Sequence, residues 1–347
     1  MRHEETRCYR LDALMRAWQV QDAGEPIDVV NLVELEPPQP EPGQVRIRVE
    51  AAGIGLPDVL MCRGTYPLTP PGPFTPGQEL AGTVTAVGSG VDMSVGTRVM
   101  GVSDFMNGNG SFADEALAAA DTVLPVPDAM DDCAAAGFWI PNMTAWMGLV
   151  DRGQLQAGQR LVVLGAAGGT GIAAVQLGKA LGAEVFAVAG DESRAEFCRS
   201  YGADRAIVCR DDTVTDGRPL AHALRDATDG HGVDMIFDPV GGAQGTNAMG
   251  ALARDGKHLA IGFASGTWPT VDVQMMTLTN TSLVGVLAAG YSRDHIDGIL
   301  QGLTAMLNRG ELRGTVLEKV PFDEVPEALT RVAARTTLGK CVVEIDR

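Results

Sequence analysis

Apolar and polar residues alternate over residues 16–20 and 45–49, and short apolar runs lie between glycine turns at 84–87 and 98–102. Period-two alternation marks a strand buried on one face. With a proline-rich turn at 37–43 and few helical repeats, residues 15 to about 125 read as a β-rich unit. The texture changes after about residue 144. Apolar runs at 161–164, 184–189, 205–208, 233–237, 258–261 and 283–287 mostly alternate with stretches of helical period. That order predicts right-handed βαβ units and a parallel sheet buried on both faces. A helix is predicted near 295–308. The run 340–345 reads as a closing strand able to return to the first unit. Residues 1–14 are polar and unpatterned, and read as an extension.

One junction in this pattern carries chemistry. The run 161–164 leads into Gly165-Ala166-Ala167-Gly168-Gly169-Thr170-Gly171, which opens the helical stretch 172–181. A buried strand, a glycine-rich turn and a helix start form the phosphate-cradling corner of a dinucleotide fold. Ala166-x-Gly168-x-x-Gly171 matches the spacing, with alanine in the first glycine's place. Backbone N–H groups there face a pyrophosphate and the helix dipole favours its charge. An ordinary strand–turn–helix corner is the competing reading of these residues alone.

Composition narrows the picture. A chain of 347 residues is long enough for two domains. Its net charge of −17 argues against a nucleic-acid partner. Six scattered cysteines with no C-x-x-C pair, and five dispersed histidines, suggest neither a disulfide framework nor a metal spacing. The N-terminus has no secretory pattern. The most apolar long run, 133–150, is broken by Pro141, Asn142 and Thr144 and reads as core, not a membrane span. The expected setting is cytoplasmic.

From Met15 to Ile345 the chain resembles the zinc-free NADPH:quinone oxidoreductase (zeta-crystallin-like) branch of the medium-chain dehydrogenase/reductases. The carriers are Ala51-Ala52-Gly53, Pro57-Asp58-Val59-Leu60, Arg63-Gly64-x-Tyr66 and Pro76-Gly77-x-Glu79-x-Ala81-Gly82. Beyond the glycine turn come 176–183, Phe237-Asp238-Pro239-Val240-Gly241-Gly242, Gly262-Phe263-Ala264-Ser265-Gly266 and Gly339-Lys340. The resemblance implies a GroES-like catalytic domain at 15–143, a Rossmann domain at 144–289, a C-terminal return at 290–347, and a cleft between the domains. It further implies a homodimer paired through 283–287.

Zinc-using relatives place a cysteine where this chain has Gly55 and a histidine where it has Gln78, and their structural cysteine loop has no counterpart at 100–111. Metal-independent chemistry is therefore expected, with Glu79 a support of the cleft floor. NAD enzymes end the second strand in an acidic residue that binds the ribose. Here the resemblance puts Ala189-Gly190 at that place, with Asp191 on the turn beyond. Arg194 and Arg335 match basic residues around a 2′-phosphate, and Gly190 matches the small residue that leaves it room. The tyrosine expected beside them is Cys209, with Arg210 adjacent. NADPH is thus the expected cofactor, held by Thr144, Ala166, Gly168, Gly169, Thr170, Gly171, Gly190, Arg194, Arg210, Val240, Phe263, Ala264 and Arg335. Tyr66 is the catalytic candidate, as donor to an acceptor oxygen that gains charge. Packing is the competing role for Tyr66, and core for Phe263. Gly55 and Leu287 are expected in the substrate pocket. Trp139 and Met143 either fill it or belong to the core.

The activity so implied is reduction of a small quinone or α,β-unsaturated carbonyl by hydride transfer from NADPH. The alternatives are a 2-enoyl thioester reductase and a dinucleotide-binding protein with little turnover.

Overall fold

The computed structural model describes residues 14–346, so the extension read at 1–14 lies almost wholly outside the described residues. Strand β1 (Met15–Val20) and strand β2 (Val30–Leu35) form an antiparallel hairpin around helix α1 (Pro26–Val29). Strand β3 (Gln44–Ile54) keeps the alternation read from the sequence: Val45, Ile47 and Val49 are fully buried, while Arg46 and Arg48 stay half-exposed. Helix α2 (Leu56–Cys62) follows, then strands β4 (Glu79–Val87), β5 (Arg98–Val102), β6 (Glu115–Ala119) and β7 (Val123–Pro125). Helix α3 (Asp132–Ala136) is capped by Asp131. Helix α4 (Trp139–Trp146) runs into a π-helical stretch, Met147–Arg152.

The second unit alternates strand and helix. It runs through β8 (Arg160–Val163), α5 (Gly169–Ala180), β9 (Glu184–Ala189), α6 (Glu192–Ser200), β10 (Arg205–Arg210) and β11 (Thr213–Val214). It continues with α7 (Leu220–Ala227), β12 (Val233–Asp238), α8 (Gly242–Met249), β13 (Leu252–Ala260), α9 (Val273–Thr279) and β14 (Ser282–Gly285). The sheet order is β11-β10-β9-β8-β12-β13-β14. Leu161 and Val163 pack in one core with α5, and Val162 and Leu164 in another with α7 and α8, so the sheet is buried on both faces. The chain moves outward from β8 on one side and resumes at β12 on the other. The crevice beyond the C-terminal ends of β8 and β12 is therefore the switch point where such sheets bind ligands.

The chain then forms α10 (Arg293–Asn308), β15 (Val316–Pro321), α11 (Val325–Ala333) and β16 (Lys340–Glu344). Strand β16 pairs antiparallel with β3, Cys341 opposite Ile54, giving the order β15-β16-β3-β4-β5-β7 with β6 also on β3. No helix among the described residues is long and apolar enough to cross a membrane.

The predicted parallel sheet forms from β10 to β14, and β11 adds a two-residue antiparallel edge on β10. Two expectations need correcting. The strand read at 258–261 begins at Leu252, since Arg254 and Asp255 interrupt its apolar run and Asp255 sits at φ +65°. The strand read at 283–287 is Ser282–Gly285; Val286 and Leu287 have already left it.

Candidate active site

The glycine turn lies at the switch point, and two of its glycines have a steric reason. Gly165 sits at φ +55°, in the left-handed region, and a Cβ there would lie 2.9 Å from Val240 Cγ2. A Cβ on Gly171 would meet the Gly165 carbonyl oxygen at 2.3 Å, so α5 packs against the turn only without a side chain there. Gly168 caps α5 and is exposed; Gly169 and Thr170 are half-buried. The first N–H groups of a helix lack partners inside it, and here they belong to Gly169, Thr170 and Gly171. Ala166 is tied to the next strand by its N–H on the Val188 carbonyl, 3.1 Å. The backbone thus offers an anion cradle, with the stem of Lys340 packed beside Gly169. Helix α4, which carries half-buried Thr144, packs along α5.

At the end of β9 the three arginines meet. Arg194 donates to the Arg335 carbonyl at 2.6 Å, Arg335 to the Ala264 carbonyl at 2.6 Å, and Arg210 to the Gly190 carbonyl at 3.3 Å. Arg335 holds φ +56°, a strained value for a non-glycine residue. A Cβ on Gly190 would meet nothing within 4 Å, so this corner is open. Cys209 is 2% exposed and its sulfur accepts from Gln244, so this position faces inward while Arg210 faces out. Asp191 caps α6 by accepting the Arg194 N–H at 2.9 Å, and its carboxylate also pairs with the Arg194 guanidinium.

On the other side of the crevice, Asp238 ends β12. One of its oxygens accepts the N–H groups of Val240 and Gly241, both at 2.8 Å. The other oxygen faces His258 Nε2 at 2.9 Å, with both side chains buried. Val240 is thereby pressed against the glycine turn. The 262–265 turn is tied in by Ala264 N–H on the Pro239 carbonyl, 3.1 Å, and Ser265 N–H on the Val240 carbonyl, 2.8 Å. Phe263 is half-buried, its ring 4.9 Å from that of Trp268, and is not a core residue.

The cleft floor is built from side chains. The chain enters β16 directly over the glycine turn, Gly339 N–H donating to the Ala167 carbonyl at 2.8 Å. Lys340, almost fully buried, then pairs its Nζ with Glu79 Oε2 at 2.8 Å, while Glu79 Oε1 accepts the Ile140 N–H. Burial pushes the Glu79 carboxyl up, and the Lys340 charge works against that. Gly53 carries no side chain because a Cβ there would lie 2.3 Å from the Ala136 carbonyl oxygen and 2.9 Å from Lys340 Cε. Gly55 starts α2, and its N–H donates to Asp58 Oδ2 at 2.7 Å. Asp58 is fully buried and its carboxyl is pushed up to about 6, mainly by burial, against the N–H bonds from Gly55 and Gln78 and the charge of Lys340. Tyr66 is half-buried nearby. Burial raises its hydroxyl, Gln78 lowers it by hydrogen bonding, and the Asp58 charge raises it again.

Sequence reasoning left Glu79 without a partner and Lys340 without a role. A lysine opening an otherwise apolar strand was the available signal of a buried charge. The Asp238–His258 pair was likewise missed. Leu287, expected in the substrate pocket, is 67% exposed beyond β14. Trp139 and Met143 belong to the core, 2% and 5% exposed. With Gly55 and Gln78 at two expected ligand places and Glu79 held by Lys340, the floor does not make a zinc set. No group of three His, Cys, Asp or Glu side chains that could hold a metal occurs among the described residues. A cavity of about 610 Å³, lined by Gln154, Asp234 and Lys257 among others, lies at the opposite end of the parallel sheet and shares none of these residues.

Comparison with known proteins gives two family matches: a zinc-binding dehydrogenase model over residues 169–305 and an alcohol dehydrogenase GroES-like domain model over residues 41–128. A quinone oxidoreductase-like protein 2 homolog from Nematostella vectensis is 30% identical over 338 residues, covering 94% of this chain and 88% of that protein. The crystal structure of a probable oxidoreductase from Mycobacterium abscessus is 34% identical, with a TM-score of 0.82 over 95% of this chain and 99% of its own. A mycobacterial protein solved with NADPH is 27% identical, with a TM-score of 0.87 over 95% of this chain and 99% of its own.

Proposed function

We propose that this chain, which belongs to the medium-chain dehydrogenase/reductase superfamily and is an oxidoreductase, uses NADPH to reduce quinones or α,β-unsaturated carbonyls without a metal. The observation that carries this reading is the floor of the cleft. Glu79 is held by Lys340, and the places where a zinc ion would find ligands hold Gly55 and Gln78. An acceptor whose conjugation already activates it needs no Lewis acid, so such a floor suits it. The mycobacterial relative solved with NADPH supports the choice of dinucleotide.

The chemistry that the dinucleotide supplies when bound is a hydride. The residues of this chain hold, orient and shield it. The N–H groups of 169–171 would hold its pyrophosphate. Arg194, Arg210 and Arg335 surround the open corner at Gly190, where a 2′-phosphate fits their planar donors. Val240 and Ala264, fixed by the Asp238 carboxylate and the Pro239 carbonyl, shape the nicotinamide side. The Tyr66 O–H would donate a hydrogen bond to the acceptor oxygen as that oxygen gains negative charge. A phenol keeps its proton at neutral pH, and burial raises its pKa further.

Oxidation of NADPH measured with a benzoquinone, a 2-alkenal and a crotonyl thioester tests the reading. Turnover is expected with the first two. Turnover with the thioester alone places the chain among enoyl reductases, and tight binding without turnover makes it a binding protein. Tyr66→Phe is expected to lower kcat about tenfold to a hundredfold with the KM for NADPH unchanged. An unchanged kcat makes Tyr66 a packing residue.

The working form in this reading is a homodimer. Strand β14 is the outer edge of its sheet, and Leu283, Leu287, Val273 and Leu278 beside it are exposed. An uncovered edge with apolar neighbours suits pairing with a second copy. A monomeric mass at micromolar concentration overturns that point.

A further inference from the structure

Asp238 ties two turns beside the crevice to the sheet. Its Oδ1 accepts the N–H groups of Val240 and Gly241, and its backbone carbonyl accepts those of Ile261 at 3.0 Å and Gly262 at 3.2 Å. The first turn carries Val240, and the second leads into Phe263 and Ala264. The other carboxylate oxygen, Oδ2, lies against the start of α8, where a Cβ on Gly245 would stand 2.3 Å from it. Its hydrogen-bond partner is His258 Nε2. The imidazole comes from β13, where His258 is paired with Ile236 of β12. Ile236 belongs to an apolar layer with Val162, Leu164 and Ala248. An imidazole beside that layer costs free energy, because its Nδ1 is buried with no hydrogen-bond partner among the described residues. Methionine or leucine at this place would carry no such cost. What the histidine adds is the bond from Nε2 to Asp238.

We propose that His258 is a positioning residue for the nicotinamide: it fixes the Asp238 carboxylate, and through it the two turns that border the reactive ring. The inference rests on the NADPH reading above. A carboxylate turns readily about its Cβ–Cγ bond, and such a turn takes Oδ1 away from Val240 and Gly241. With Nε2–H donating to Oδ2, the carboxylate is held at both oxygens and the two N–H bonds are kept. The imidazole is fully buried, so it acts only through Asp238. The arginine corner lies at the end of β9, separated from β12 by β8. The adenosine half of the dinucleotide is therefore outside the reach of this pair, and the nicotinamide half is within it. Hydride transfer needs the donor and acceptor carbons close and aligned, so a small shift of these turns costs more in rate than in affinity.

The experiment compares the wild type with His258→Met, which fills the layer without a donor, and His258→Gln. The glutamine amide nitrogen lies as many bonds from Cα as Nε2 does, and it can donate to Asp238. Calorimetry gives the Kd for NADPH and for adenosine 2′,5′-bisphosphate, which lacks the nicotinamide half. Oxidation of NADPH and of its 4,4-dideuterated form by a benzoquinone gives kcat and its isotope effect. In H258M the bisphosphate Kd is expected to stay within about twofold of the wild-type value, and the NADPH Kd to rise about threefold. Its kcat is expected to fall about tenfold to a hundredfold, with a larger deuterium isotope effect. H258Q is expected to recover most of kcat. An H258M that melts lower but keeps kcat, the isotope effect and the NADPH Kd makes His258 a core residue and overturns the proposal. A loss that H258Q does not recover overturns it too, as does a bisphosphate Kd that rises as much as the NADPH Kd. Should H258M not fold, His258→Asn, whose amide stops short of the Nε2 position, takes its place with the same readouts. If the wild type turns over none of the acceptors, the reductase reading falls. The NADPH Kd set against the bisphosphate Kd then decides the role of His258 by itself.

Discussion

The two halves of the candidate site are built in opposite ways. The glycine turn at 165–171 is backbone: Gly165 and Gly171, which have no room for a Cβ, and the N–H groups that open α5. The cleft floor is side chain: Asp58, Glu79 and Lys340, all buried, come from two distant parts of the chain and are held by mutual charge and by N–H bonds. A backbone site depends on space, and it tolerates change wherever space is left. A side-chain site of buried charge depends on balance, and it fails when one partner is removed. The two meet at Gly339-Lys340, where the chain passes from the Ala167 carbonyl to the Glu79 carboxylate within one residue.

The largest effect that separates them is expected at Lys340. Lys340→Met keeps most of the length of the side chain and leaves the Glu79 carboxylate buried without its cation. Removing one member of a buried pair costs about 3–5 kcal/mol. Adding Glu79→Gln, which removes the stranded charge, is expected to restore most of the loss. Chemical denaturation of the two variants checks this. A single variant within about 1 kcal/mol of the wild type shows that the floor is not held by charge balance.

Much of the phosphate half was legible in the chain, and most of the floor was not. Alternation at 45–49 and apolar runs at 161–164 and 184–189 are local codes, and they match β3, β8 and β9. The spacing of Gly168 and Gly171 is local too, because the turn it serves is six bonds long. Glu79 pairing with Lys340 from the far end of the chain is a tertiary fact that no window shows. The strand read at 283–287 forms as Ser282–Gly285, but its end was not legible, since Leu287 continues the apolar run and yet is exposed beyond the strand. The arginines at 194 and 335 did come together, yet the Asp191–Arg194 pair depends on how α6 begins and was not read from spacing.

The middle effect lies in the pH dependence of the floor. The Asp58 carboxyl is raised from 3.8 to about 6, chiefly by burial. The folded chain therefore binds this proton more tightly than the unfolded chain. The stability it contributes is whole below the unfolded value and is lost as pH rises through about 6. In Asp58→Asn that loss disappears, although asparagine can accept only one of the two N–H bonds that Asp58 receives. The margin of wild type over variant is thus expected to shrink by on the order of 1–3 kcal/mol between about pH 4 and pH 7. Melting curves of both proteins across that range measure it. A margin that does not move with pH takes Asp58 out of the charge balance.

The smallest effect sharpens the comparison from the backbone side. Gly190 is a glycine for which the protein itself gives no steric reason: its φ is not in the left-handed region, and a Cβ would meet nothing within 4 Å. Where the native backbone suits alanine, Gly→Ala stabilises by about 0.4–1 kcal/mol, because the unfolded chain loses freedom. Gly190→Ala is therefore expected to melt slightly higher than the wild type. If the open corner is reserved for a ligand phosphate, the same methyl group takes part of its space, and the Kd for NADPH rises by about twofold to fivefold while NADH binding changes less. A stabilised variant with weaker NADPH binding means that this glycine is kept for the ligand and not for the fold. Gly171 presents the opposite case, since its added Cβ would strike the Gly165 carbonyl oxygen at 2.3 Å whether or not a ligand is bound. A stabilised G190A that binds NADPH as well as the wild type removes Gly190 from the site and moves the phosphate toward Arg335 and Ala264.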